Sequence, residues 1–404
     1  MLTFVYTAKD TASNKTVSAT VQAESERAAA KLLMSRNLIP LSITPESESN
    51  SILAAFQNHV STKDRVVFTR QLATLINAGL PLAQSLHTVQ EQTLNKKLKV
   101  VAQDIISSVE GGSNLADAFS KHPKVFNELF IALVAAGEVS GTLDKALERI
   151  SDQQEKDAEI ASKVKGAMVY PAIVMLVILG VVVFMLTTVV PQIQNLYVNL
   201  HRELPFLTGI MVAMANFLTN FWWLTLIVIG VGIFFLRRWV QTTNGRRSID
   251  TMKLNLPIFG SLFRKLYMAR LTRTGETLLV SGVPMLEMLR ITSKAIGNVV
   301  VKDEIMNASE KVKSGKSLSS SLKTEQYILP LVPQMISIGE QSGQIDGMMA
   351  KAATFYENEL DNTIRSISTA IEPILMVVLA LVAGGMVGAI LLPIYGLIGE
   401  GGIK

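Results

Sequence analysis

The sequence predicts a mainly α fold: duplicated cytoplasmic helical bundles, three transmembrane helices and a small N-terminal α/β module. Three observations predict it. One motif is written twice: FTRQLATLINAGLPL from Phe68 returns as LTRTGETLLVSGVPM from Leu271, so Gly79 and Pro81 match Gly282 and Pro284. Further on, Gly137-Glu138-Val139-Ser140-Gly141 matches Gly339-Glu340-Gln341-Ser342-Gly343, Asp144 matches Asp346, Pro171 matches Pro373, and Pro191 matches Pro393. The offset falls from 203 (Pro81 to Pro284) to 202 (Gly137 to Gly339), so one residue was lost between them. A repeat this long marks a duplicated domain, not a solenoid unit of roughly 20–50 residues. Next, three stretches carry no Lys, Arg, Asp or Glu: Gly166 to Leu200, Leu204 to Leu236 and Pro373 to Gly399. About 30 Å of hydrocarbon takes roughly 20 apolar residues to cross. Finally, 49% of the 404 residues are hydrophobic, and the mean hydropathy of +0.35 is high for a chain without membrane spans.

The elements follow in order. Residues 1–45 read as the small α/β module, with β-rich Phe4 to Ala8 and Thr16 to Val21, a helix from Ser25 to Arg36 stopped by Asn37, and a third strand from Leu38 to Thr44. Residues 46–60 form a linker, announced by the polar, turn-rich run PESESNS from Pro45 to Ser51. Copy one of the helical domain spans 61–165. Ser61 and Asp64 fit a capping box, and Phe68, Leu72, Leu75 and Ile76 share one helical face. Gly79 stops that helix and Pro81 suits the start of the next. Shorter helices follow, broken at Glu110-Gly111-Gly112 and at Gly137 to Gly141. A charge-dense helix from Thr142 runs unbroken into transmembrane helix 1 at 166–191. Transmembrane helix 2 occupies 210–238, copy two 239–370 and transmembrane helix 3 371–395. The middle span has no counterpart in the repeat; it returns the chain so that both copies share one orientation.

Composition narrows the chemistry. The chain has no cysteine, which excludes thiolate chemistry and disulfides, and its four histidines are scattered without metal-ligand spacing. The net charge of +5 concentrates beside the spans, as at Arg237, Arg238, Arg246 and Arg247, so it reads as a topology signal and not as a nucleic-acid surface. Lys163 and Lys165 precede span one, only Arg202 lies between spans one and two, and only Lys404 follows span three. That asymmetry puts the N-terminus in the cytoplasm, the C-terminus outside and both bundles inside. The first 50 residues hold no signal-peptide core, so span one is the expected insertion signal.

Several residues stand out as candidate sites. Gly315-Lys316-Ser317 has the tail of a phosphate loop, but position 310 is Glu where the motif needs Gly, so a plain turn is expected. The Gly-Glu-x-Ser-Gly segments offer two readings: Gly137 and Gly141 stop one helix and start another while the Glu ties up free N–H groups, or the segments dock a partner. The candidate docking residues are Glu138, Asp144, Glu148, Arg149, Glu340 and Asp346. Pro171 and Pro373 sit early in spans, where a prolyl ring inside a helix kinks it. Glu372 is an acid at a span edge, a position that tends to mark function. Gly384 and Gly388 form a GxxxG pair that permits close helix packing. Together with the two prolines, these are the candidate membrane-packing or pilin-contact residues.

The two FTRQLATLINAGLPL-type openings, the GEVSGTLD and GEQSGQID segments, the Tyr170-Pro171 span and the Pro373 to Pro393 span ending LLPIYGL resemble the family of type IV pilus platform proteins (PilC) and type II secretion protein F. The resemblance covers essentially the whole chain. It implies an inner-membrane homo-oligomer with no cofactor, metal or enzymatic activity. The partners it implies are a hexameric assembly ATPase, with a retraction ATPase as a second motor, pilins, inner-membrane alignment proteins and membrane lipid. The implied role couples the motor to insertion or extraction of pilin subunits; a secretion pseudopilus is the alternative. This chain departs from the family pattern at Asn127, where a second proline is common, and in copy two, where Gln326 to Pro330 lack the Pro-x-x-Phe arrangement. A transporter would carry polar groups at broken helices near the midplane, whereas the span centres here are apolar, as at Val174 to Leu179. An enzyme would need a constellation of catalytic groups that the sequence does not display.

Overall fold

The computed structural model describes residues 2–10, 16–23, 26–34, 38–45, 60–199, 206–257 and 259–401. The chain divides into two units, one comprising residues 1–60 with 94–98 and the other the rest.

In the first unit, β1 (Leu2–Asp10) is the central strand of an antiparallel sheet ordered β2-β1-β3, with β2 at Thr16–Ala23 and β3 at Leu38–Pro45. The register of β1 with β3 shifts between Thr7 and Ala8. Helix α1 (Glu26–Met34) brings Ala29 and Leu33 against Ala8, Val21 and Ala23 to make a small core. Ser25, Asn37 and most of the expected linker lie outside the described residues.

The second unit is helical and carries the duplication. Copy one runs α2 (Thr62–Asn77), α3 (Leu82–Gln92), α4 (Lys96–Glu110), α5 (Leu115–Ser120), α6 (Glu128–Ser140) and α7 (Leu143–Phe184). The capping box forms as expected: the Asp64 amide donates to Ser61 Oγ and the Ser61 amide to Asp64 Oδ2, each at 3.1 Å. Phe68 and Leu72 are buried, whereas Leu75 and Ile76 are only half-buried. Gly79 takes a φ of +83°, which an L side chain adopts only with strain. Phe119, Phe126 and Phe130 pack with ring centroids 4.5–4.7 Å apart, and Phe68 joins them against Phe126.

After α7 the helix widens into a π turn (Met185–Val189) and continues as α8 (Val190–Asn199). Pro191 has no N–H to return to the preceding turn, which is where the i→i−4 ladder loosens. Next come α9 (Phe206–Asn220), α10 (Trp222–Val240) and α11 (Thr243–Asn255). The expected single helix over 210–238 is therefore two. It breaks at Phe221 (φ −120°, ψ 24°), after Thr219 has turned its hydroxyl back onto the Ala215 carbonyl. Val212 and Ala215 of α9 pack against Leu186 and Val190, so this half is occupied by a local core.

Copy two repeats the plan as α12 (Phe259–Val280), α13 (Met285–Ala295), α14 (Val299–Lys313), α15 (Leu318–Lys323), α16 (Leu331–Ser342) and α17 (Ile345–Gly401). Its core changes character. Leu271, Leu322, Ile328 and Val332 stand where copy one has four phenylalanines, and buried Met268, Met288 and Met349 are adaptable gap-fillers. Met349 and Met288 lie against Gly275, where a Cβ would come within 2.3 Å of the Met349 methyl. Among the described residues, three helices are long and apolar enough to cross a membrane: Leu143–Asn199, Trp222–Val240 and Ile345–Gly388. Their apolar side chains face outward, Leu176 and Leu381 both being 71% exposed, as a lipid environment requires.

Candidate functional site

The paired acidic segments are not loops. Gly137 to Ser140 close helix α6, and Gly141 (φ +69°) is its left-handed cap; Gly343 (φ +71°) does the same for α16. The expectation that Gly137 stops the helix is corrected. It is an interior position where α6 and α7 touch, and a Cβ there would stand 2.5 Å from the Ala146 Cβ. Gly339 is its counterpart, with Ile345 Cα 2.7 Å from the added carbon.

Glu138 and Glu340 point away from their own turns. The Leu115 and Ala116 amides donate to the Glu138 carboxylate at 2.8 and 3.1 Å. Those amides open α5, whose N-cap Asn114 contributes no side-chain bond. The Leu318 and Ser319 amides donate to Glu340 Oε1 at 2.6 and 3.3 Å, at the start of α15. Each acid thus ties two consecutive helices of its bundle, with its charge at a helix N-terminus. Ser317 caps α15 as well, receiving the Ser320 amide, so the Gly315-Lys316-Ser317 segment is a helix-starting turn.

Asp144 and Asp346 lie in the first turns of α7 and α17. Among the described residues they and Glu148 have no ion-pair partner, and Glu148 is exposed. Arg149 reaches the other copy, donating to Ser281 Oγ at 3.2 Å.

Sequence reasoning missed the ion pairs, although the repeat carries a signal for them. Arg70 clamps Glu155 and Asp152, both at 2.6 Å, and its counterpart Arg273 clamps Glu357 at 2.8 Å. Glu155 and Glu357 are themselves counterparts, so each bundle ties its opening helix to its membrane-bound helix in the same way. Other pairs join the copies. Glu128 of α6 meets Arg290 and Lys294 of α13, and Lys163 of α7 meets Asp361 of α17 at 2.7 Å. Burial raises the Glu128 carboxyl, but its bonds from Lys294 and Arg290 outweigh this and hold it below the usual range. Asp157 faces Arg270 at 3.8 Å, yet burial dominates and pushes its carboxyl up. In copy two, Glu304 receives the Gln326 and Tyr327 amides and fixes the segment that departs from the Pro-x-x-Phe pattern. Among the described residues, no group of three His, Cys, Asp or Glu could hold a metal ion.

Pro171 lies inside α7 and Pro373 inside α17, and both helices continue past them. Glu372 is exposed beside Pro373. A Cβ added to Gly384 or Gly388 would meet nothing within 4 Å, so among the described residues no other helix of this chain covers that pair.

The type II secretion system protein F family matches twice, over residues 68–191 and 272–393, and the N-terminal domain of that protein matches residues 1–44. A type IV pilus assembly protein PilC of Thermus thermophilus is 39% identical over 99% of both chains. The PilC of Myxococcus xanthus is 41% identical over 84% of this chain and 82% of its own. The type II secretion system protein F of Vibrio cholerae is 32% identical over 98% of both. With the duplicated bundle, the apolar helices and these matches in place, the chain belongs to the PilC and type II secretion protein F family.

Proposed function

We propose that the chain is the membrane platform of a type IV pilus assembly machine. It couples a cytoplasmic assembly ATPase to insertion or extraction of pilin subunits, and it performs no catalysis itself. The observation that carries this reading is the continuity of α7 and α17. Each begins in a charged bundle at Asp144 or Asp346 and runs on as an apolar span. A protein that transmits work through contacts needs such uninterrupted connections between its soluble and membrane parts. The pilus assembly relatives share 39% and 41% identity with this chain against 32% for the secretion relative, which favours a pilus. The Vibrio cholerae relative supports the second reading, a secretion pseudopilus.

In this reading the N-terminus is cytoplasmic, the C-terminus lies outside in an inner membrane, and the ATPase meets the cytoplasmic bundles. Asp144, Glu148 and Asp346 are the best docking candidates, because the carboxylates of Glu138 and Glu340 are engaged within the bundles. Pro171, Glu372, Pro373, Gly384 and Gly388 lie on the helices that would meet pilins or lipid. The test is a deletion in the host, with surface filaments counted and secreted proteins profiled. Filament loss with normal secretion supports the pilus reading. Secretion loss with normal filaments would replace it by the pseudopilus, and an unaffected host would reject both.

A further inference from the structure

Besides the contact of the counterpart helices α7 and α17 through Lys163 and Asp361, the two bundles meet through faces that are not equivalent. Copy one uses α6, where Glu128 receives Arg290 and Lys294; copy two uses α13. The counterpart of α13 is α3, and the counterpart of α6 is α16. The α6–α13 contact is therefore head-to-tail, and each chain keeps one unused copy of each of these two faces.

Both unused faces are open. Pro330, the counterpart of Glu128, lines a groove of about 500 Å³ with Pro333, Gln334, Ser337 and Ile328. Gln334 is exposed, and Ile338 beside it is 50% exposed. The counterparts Ala132 and Ala136, on the covered α6, are half-buried. On α3, His87 and Glu91 occupy the positions of Arg290 and Lys294, and both are exposed. Charge is complementary with the sign exchanged. Lys323 is the charged residue lining the groove, while α3 offers Glu91, and Glu110 at the end of α4 lies 2.8 Å from His87. Inside the chain the acid is on α6 and the bases are on α13.

We propose that the α15–α16 groove of one chain receives α3 of a second copy of this chain, repeating between chains the contact that α6 and α13 make within one. Heterologous contacts propagate until a ring closes. Because α7 and α17 are counterparts, a copy added by the same operation keeps its spans in the same bilayer. That last step rests on the proposed membrane reading; the interface itself does not.

The absence of cysteine makes the test direct. Full-length chains carrying Glu91→Cys and Pro330→Cys, on different affinity tags, are co-expressed in membranes and treated with a short bis-maleimide. This pair is the counterpart of Lys294 and Glu128, whose charged atoms lie 2.9 Å apart. Cross-linked dimers carrying both tags are expected, well above those from either variant alone or from Lys145→Cys with Pro330→Cys. Adding Glu91→Lys in place of the cysteine in a dilution-dissociation assay should weaken association about five-fold, the scale of one rim charge pair, and Lys323→Glu should restore it. Dimers of Glu91→Cys with itself would show an α3–α3 contact and overturn the proposal. Absence of the mixed cross-link would overturn it equally, and so would a reversal that Lys323→Glu does not rescue.

Discussion

Replacing Glu138 by Ala should destabilise copy one more than Glu340→Ala destabilises copy two. Glu138 is the acceptor for two amides at the start of a six-residue helix. Leu115 is 0% and Ala116 8% exposed, so water cannot take over. An orphaned buried donor costs about 1–3 kcal/mol, and a favourable charge at a helix N-terminus contributes about 0.3–1 kcal/mol. With some relaxation, Glu138→Ala should cost about 3 kcal/mol. Copy two is buffered in part: Leu318 is as buried as Leu115 and Glu340 also accepts from the Ser319 hydroxyl, but Ser319 is half-buried, so water can reach it, and Ser317 separately caps the helix through the Ser320 amide. Glu340→Ala orphans one buried amide in place of two and should then cost about 2 kcal/mol. Glutamine at 138 keeps one acceptor oxygen and should fall between alanine and the parent. Chemical unfolding of the detergent-solubilised protein measures the differences, and amide exchange at Leu115 and Ala116 localises them. An alanine variant within about 0.5 kcal/mol of the parent, with unchanged protection at those amides, would refute the capping argument. A glutamine variant of unaltered stability that loses filaments would instead put Glu138 in the docking surface.

Gly137→Ala should cost about 1–3 kcal/mol by overpacking against Ala146, whereas Gly180→Ala, with nothing within 4 Å, should be near neutral; melting curves of the two variants check this. The Glu128 pairs should show a pH dependence. Its folded-state carboxyl is depressed, so their stabilisation is present above the ordinary value of 4.5 and is lost as pH falls below it. Glu128→Gln should thus be less stable than the parent by about 1 kcal/mol at neutral pH and equal to it in acid, which an unfolding series across pH would read. Impermeant maleimide on intact cells should label a cysteine at Asn199 and spare one at Ser248; the opposite pattern would invert the orientation.

Much of the fold was legible because its signals are local. Ser61 with Asp64, and the glycines at 79 and 282, announce their turns within four residues, and spans one and three announce themselves by length. The break at Phe221 was not legible, because the apolar run through Asn220 and Trp222 satisfies any hydropathy window while the backbone turns. The chemistry of Glu138 lay beyond sequence reading for a different reason. Its partners are 22 and 23 residues upstream, and only the folded bundle brings them to it. Glu128 with Arg290 is a contact between copies, and the counterparts of these residues are Pro330 and His87, so the repeat gave no hint of it.

The prolines at 171 and 373 give the two long helices a mechanical character. A helix of 57 residues, such as α17, is about 85 Å long and stiff along most of that length. At each proline one rung is missing, because the carbonyls of Ala167 and Thr369 receive no amide from the ring. Bending is therefore eased where the charged bundle gives way to the apolar span, at matching positions of both rods, and again farther along each near Pro191 or Pro393. Torque applied to a bundle would twist its rod as a shaft, while sideways force would be absorbed at these joints.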